Sequence, residues 1–369
     1  MKRFLAVLAL LGASAAPAAA QNDLLKSCVN SVPMSAGGQS LPSDVAAAVE
    51  AQFEYLCAQM VNSLTTVQPS VGIAFSGGNP VLGTATTIGT RLGILPRVSA
   101  TARANVALAT LPDLFRGGYV TEITDANPAL GAAPTLGVPV GSLQGDVVVG
   151  LFNGISPGPM IGGIGSIDLL GSVAFLPQID QVGLSKAITN IGLGARVGIL
   201  RQGLVVPGVS VSAMYRMMDE IAFGSIDDDD PGEFATDLRT LSLRAVISKG
   251  ILAFDFALGA GYDKYTSDVS LGWKLHCELQ ECRDYQAGGV DVHGRFSGEL
   301  STAAWNVFGN VALDLLFLSL VGEVGFQKAV DPIGVDDLQD VGLPSSNPLT
   351  TDALKGGRLF GSVGLRLTL

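Results

Sequence analysis

The sequence predicts an all-β protein: a transmembrane antiparallel β-barrel of about 12 strands, with 14 as the alternative, preceded by a small N-terminal helical plug. Three observations predict it. The chain opens with an export signal, period-two alternation fills most of the chain beyond residue 66, and no apolar run is long enough for a membrane helix although mean hydropathy is +0.42. With only 15% charged residues and 47 glycines among 369, the chain is oily for an exported soluble protein.

The export signal is read from Lys2 and Arg3, the apolar Phe4–Leu11 and the A-x-A site Ala18-Ala19-Ala20, which places a cleaved signal peptide at 1–20. The net charge of −11 argues against nucleic-acid partners, which require a basic footprint.

Residues 21–66 are expected to be helical. "NDLLKSCVN" reads as a short helix and "SVPMSAGGQSLP" as a linker. Ser43 and Asp44 offer an N-cap to a second helix, whose Val45, Val49, Phe53, Leu56, Cys57, Met60 and Leu64 share one stripe. That stripe must be covered, either by the first helix or by a barrel interior.

From Pro69 the period becomes two, and residues 67–369 are read as the barrel. In "RVSATARANVALA", Val98, Ala100, Ala102, Ala104, Val106 and Leu108 share one face, while Ser99, Thr101, Arg103 and Asn105 share the other. In "ILAFDFALGAGYD" the even positions are apolar and the odd ones small or charged. Strands are expected near 70–77, 81–93, 97–110, 145–154, 164–176, 187–200, 206–220, 237–248, 251–264, 294–314, 317–328 and 357–369. The pattern in 292–314 changes phase between Leu300 and Trp305, which suggests a bulge or a hidden hairpin.

The less oily face carries isolated charges: Arg103, Arg196, Arg216, Arg244, Asp255 and Arg366. An unpaired charge in a sandwich core costs several kcal/mol, whereas one facing a wet or paired lumen costs little. Lipid outside and a polar lumen inside therefore fit better than the alternative, a soluble secreted β-protein. Short links at 93–97, 200–206, 248–251 and 314–317 alternate with long loops at 111–144, 222–235, 264–291 and 329–356, the asymmetry of outer-membrane barrels. The expected location is thus the outer membrane, with its lipid and lipopolysaccharide as partners. The sequence carries no signal for oligomeric state.

Among special residues, Cys28 with Cys57 and Cys277 with Cys282 are expected disulfides in an exported chain. A metal site of His276, Cys277, Cys282 and His293 is the weaker reading. "SIDDDDPGEF", with Asp227, Asp228, Asp229, Asp230 and Glu233, reads as an acidic external loop rather than a Ca²⁺ site, since it lacks EF-hand spacing. "GLGARVG" at 192–198 imitates a nucleotide-binding loop, but the strand period runs through it. The two histidines lie near one loop with no Ser-centred motif, so no catalytic residue, cofactor or enzymatic activity is expected. Tyr215, Tyr262, Tyr265, Trp273 and Trp305 are candidates for a sparse interfacial girdle.

The helical segment 21–66, the "GGNP" at Gly77–Pro80 leading into the strands, and a monomer-sized barrel together resemble the FadL-like superfamily of long-chain fatty acid transporters. The resemblance implies an N-terminal hatch inside the barrel and passive uptake of hydrophobic small molecules such as long-chain fatty acids. The alternative is a structural or surface-interaction outer-membrane barrel without transport.

Overall fold

The computed structural model describes residues 16–31, 35–36, 39–91, 95–112, 122–123, 135–157, 162–176, 187–223, 232–277, 280–287, 289–328 and 356–368. Ten strands form a closed antiparallel ring: β1 (Val98–Pro112), β2 (Thr135–Phe152), β3 (Ser166–Leu176), β4 (Ile188–Leu200), β5 (Gly208–Phe223), β6 (Gly232–Ile251), β7 (Phe254–Cys277), β8 (Val290–Leu315), β9 (Leu318–Gln327) and β10 (Arg358–Thr368). Each pairs with its sequence neighbour. The ring closes where β10 meets β1, with Phe360 opposite Ala107 and Thr368 opposite Ser99. An eleventh short strand, Glu122–Ile123, joins the far end of β7 in parallel.

The strand number is therefore ten, not 12 or 14. The two surplus strands, expected near 70–77 and 81–93, are not part of the wall. Residues 70–76 finish a 34-residue helix, α2 (Ser43–Ser76), and residues 77–89 cross the lumen as irregular chain. The alternation was misleading because every residue from Gln68 to Leu82 is buried, so no solvent-facing stripe marks the helix. Pro69 lies inside α2. It removes the backbone donor that would reach Thr65 O, and the wall contacts the adjoining residues: Arg358 donates to Thr66 O (3.3 Å) and to Ser70 Oγ (2.7 Å). The interior segment thus runs past residue 66, and the wall begins at Val98.

Along the lower part of the ring, apolar side chains point outward. On β4, Ile191, Leu193, Val197 and Ile199 are exposed, while Asn190 and Arg196, of the opposite parity, are buried. Leu258 on β7 is 66% exposed. Tight turns at Leu252 and Leu316, both with positive φ, link β6 to β7 and β8 to β9 at one mouth. Residues 153–165 and 201–207 are the other connections at that mouth. The two longest connections, 113–134 and 328–357, leave from the opposite mouth.

Strands β7 and β8 are far longer than a membrane crossing, which takes about 9–11 tilted residues; β7 has 24 and β8 has 26. Their register is unbroken from Phe254 opposite Leu313 to Cys277 opposite Val290. The phase change near Leu300 is therefore neither a bulge nor a hairpin. The side chains keep alternating, and the surroundings invert. Below, Phe254, Phe256 and Leu258 of β7 and Val307 and Val311 of β8 face outward, against an inward Asp263, Asn306 and Asn310. Above, the outward residues are Lys264, Asp268, Arg295 and Glu299, and the inward ones are Val269, Leu271, Trp273, Phe296 and Leu300. The same inversion occurs on β6, between outward Leu241 and outward Arg239. An oily exterior thus gives way to an oily interior at one level of the barrel.

The upper interior is filled by the N-terminal helices. Helix α1 (Ala16–Val29) and the first part of α2 pack Leu24, Leu25, Cys28, Val45, Cys57 and Met60 against the inner faces of β7 and β8. Both expected disulfides form, Cys28–Cys57 and Cys277–Cys282, and all four cysteines are buried in this one core. The second bridge ties the end of β7 to the short helix α3 (Gln280–Tyr285). The cysteines of the metal-site reading are therefore disulfide-bonded, and the described residues contain no metal-ligand cluster. Gly294 permits the fit of Trp273, since a Cβ there would lie 2.6 Å from the indole.

Candidate functional site

The chemistry of the molecule is concentrated in the lumen beneath this head. The strand period points Arg103 (β1), Arg196 (β4), Arg244 (β6) and Arg366 (β10) inward, where all four are buried. Each meets two kinds of partner, a wall carboxylate and backbone carbonyls of the interior segment.

Arg103 donates to Ser76 O (3.1 Å) and Asn79 O (3.0 Å), with Nε 3.0 Å from Asp146 Oδ2 in an ion pair that lacks hydrogen-bond alignment. Arg244 donates to Gly78 O (2.7 Å) and Gly77 O (3.3 Å) and pairs with Asp263 at 2.8 Å. Arg196 donates to Thr84 O (3.3 Å) and Thr86 O (2.9 Å) and pairs with Asp168 at 2.6 Å. Arg366 donates to Leu82 O (2.7 Å) and reaches Asp314 at 3.4 Å. Arg103 and Arg244 thereby sit at the C-terminal end of α2, where carbonyls lack helical partners and the helix dipole is negative.

Two carboxylates satisfy the complementary donors. Glu323 on β9 accepts from Gly78 N (2.8 Å), Asn79 N (2.8 Å), Asn310 Nδ2 (2.8 Å) and Ser362 Oγ (3.1 Å). Asp168 accepts from Ile88 N (3.2 Å) and Gly89 N (3.4 Å). Gly77, with φ of +60°, makes the turn out of the helix that presents these groups. Higher up, Gln68 donates to Ser267 Oγ (2.8 Å) and Leu300 O (3.1 Å), and its Oε1 accepts from Thr302. The helix lies so close to β7 here that a Cβ on Gly72 would fall 2.1 Å from Tyr265.

The remaining lumen residues fall outside this pattern. Arg216 is buried and donates to Ser242 Oγ (3.2 Å). Asp255 is a half-exposed rim residue at the tight-turn mouth, accepting from Gln202 (3.2 Å). Sequence reasoning missed Arg358 and the carboxylates Asp146, Asp168, Asp263 and Glu323; their inward parity on each strand was the available signal. Asp227, Asp228, Asp229 and Asp230 lie outside the described residues, and Glu233 forms an ion pair with Arg295 at 3.1 Å. Of the girdle candidates, Tyr215, Tyr262 and Trp305 face outward, with the last two in ring contact at 4.9 Å, whereas Tyr265 and Trp273 are fully buried.

Helix α2 and residues 77–89 occupy the lumen. Among the described residues a cavity of about 20 Å³, lined by Leu64, Val71, Met218, Leu238 and their neighbours, has room for about one water.

No protein-family model matches the sequence, and no curated protein matches it. Solved structures of similar fold include the translocator domain of autotransporter NalP from Neisseria meningitidis (10% identity, 76% of this chain and 90% of that one, TM-score 0.35). Others are the outer-membrane protease OmpT from Escherichia coli (10% identity, 74% and 96%, TM-score 0.31) and Neisserial surface protein A (9% identity, 74% and 97%, TM-score 0.27). The similarity does not single out the fatty acid transporter superfamily.

Proposed function

We propose that the chain is an outer-membrane β-barrel of the structural or surface-interaction kind, sealed by its own N-terminal helix. The carrying observation is the inverted surface: outward apolar residues ring the lower wall, while charge is buried inside, with Arg103, Arg196, Arg244 and Arg366 paired to wall carboxylates. In water this arrangement would expose a wide apolar belt, whereas in a bilayer each side meets its own solvent. No helix among the described residues is long and apolar enough to cross a membrane. The tight-turn mouth then faces the periplasm and the long-loop mouth the exterior, where lipopolysaccharide headgroups meet the polar outward residues of β6–β8.

The occupied lumen favours this role over passive uptake of fatty acids: α2 and residues 77–89 fill it and are bonded to the wall by Arg103, Arg196, Arg244 and Arg366. Reconstitution in a planar bilayer tests it. The folded, heat-modifiable protein should insert and carry no steady current; a constitutive conductance would refute the sealed barrel, and failure to partition into membranes would refute the barrel reading itself.

A further inference from the structure

The position of the first helix has a topological consequence. The wall begins at Val98, at the tight-turn mouth, as the register of β1 with β10 and β2 requires. Yet α1 and the first part of α2 lie at the other mouth. Ser27 Oγ donates to Ser297 O (3.3 Å), a Cβ on Gly298 would touch Leu24, and Cys28 shares a core with Cys277 and Cys282 at the far end of β7. From there α2 descends the lumen: Met60 and Leu64 pack at the level of Leu300, Val71 and Phe75 at the level of Tyr265 and Ala304, and Leu82 against Val321 and Ala312. Below that, Gly89 reaches the tight-turn mouth beside Asn153, where Thr90 N donates to the Asn153 side chain (2.8 Å). At about 1.5 Å per residue, a 34-residue helix is about 51 Å long, more than the ~30 Å hydrocarbon core.

We propose that this chain displays its own N-terminal segment on the outer face of the membrane. The part of helix α1 beyond the expected cleavage site at Ala20 and the start of α2 form an exterior head, and the rest of α2 stoppers the lumen that joins head to barrel. Resting on the barrel reading above, this assigns the molecule a second activity, carriage of a polypeptide across the membrane to the surface. The inverted strands support it. Where the outward faces of β7 and β8 turn polar, the inward faces turn apolar, and the side chains that cover them come from α1 and α2. The long strands of the wall are thus built to hold the N-terminal segment outside the bilayer. The Cys28–Cys57 bridge joins two helices where the lumen below accommodates one, so the tied head cannot slide back.

Cysteine labelling on cells tests this, because all four native cysteines are bonded and give no background. Single Asp23→Cys, Glu299→Cys and Leu252→Cys variants place an exposed thiol on α1, on the upper outward face of β8 and on a tight turn, respectively. Each is treated with a membrane-impermeant maleimide before and after the outer membrane is permeabilised. The expected result is full labelling of Asp23→Cys and Glu299→Cys on intact cells, with Leu252→Cys gaining its label only on permeabilisation. Labelling of Glu299→Cys but not Asp23→Cys on intact cells would overturn the display proposal and leave the barrel reading standing. Labelling of Leu252→Cys but not Glu299→Cys, or absence of the chain from the membrane fraction, would overturn both.

Discussion

Glu323→Gln tests how the stopper is held. The carboxylate accepts four hydrogen bonds, two of them from the backbone of Gly78 and Asn79 in the interior segment. An amide of the same shape has one acceptor oxygen and one donor nitrogen. In the least costly orientation the new nitrogen replaces Oε1: the Ser362 hydroxyl turns to accept from it, and Gly78 N–H is left facing a donor. Burying one unpaired N–H costs about 1–3 kcal/mol, and the three remaining contacts lose their charge assistance. A total of about 3 kcal/mol raises the population of the released stopper about 100-fold. Wall contacts elsewhere are untouched, so the ten strands should still close. In planar bilayers the variant should show intermittent openings that the wild type lacks, while its heat-modifiable gel shift persists. A variant with the gel shift intact and the same silent trace as the wild type would show that Glu323 does not anchor the segment.

Three further outcomes are expected. Removing the Cys28–Cys57 bridge, which closes 29 residues, should cost about 3.6 kcal/mol by loop entropy, against about 2.1 kcal/mol for Cys277–Cys282, which closes 5; denaturant midpoints of the serine double variants should fall in that order. Gly72→Val forces the helix off Tyr265 and should destabilise the folded barrel by about 1–3 kcal/mol in the same assay, with no loss expected if the helix lay free in a wide lumen. Arginine placed at Val307 on the lower outward face of β8 should cost about 2–4 kcal/mol in lipid, whereas arginine at Ser297 on the upper outward face should change stability by under about 0.5 kcal/mol; equal costs would contradict a membrane boundary between them.

What the sequence made legible was whatever a local period or a spacing encodes. The outward face of β1 and the inward Arg103, Arg196 and Arg244 follow from alternation alone, and both disulfides follow from export plus cysteine number. What it hid was set by partners remote in sequence. Val71, Ile73 and Phe75 alternate with small residues and imitate a strand, because a helix enclosed on all sides needs no polar stripe. Asp146, Asp168 and Glu323 look like interruptions of oily runs until the carbonyls and N–H groups at 76–89 are placed beside them. The change near Leu300 shows the limit most directly. A period states which residues share a face, and it is silent about what that face touches; Leu300 and Asn306 point the same way, one into a head of apolar helices and the other to the carboxylate of Asp263 at 2.7 Å. What fills the barrel at each level distinguishes them, and the outward face reverses with it, so a reversal of facial polarity without a break in register marks the level at which a long strand changes both its surroundings.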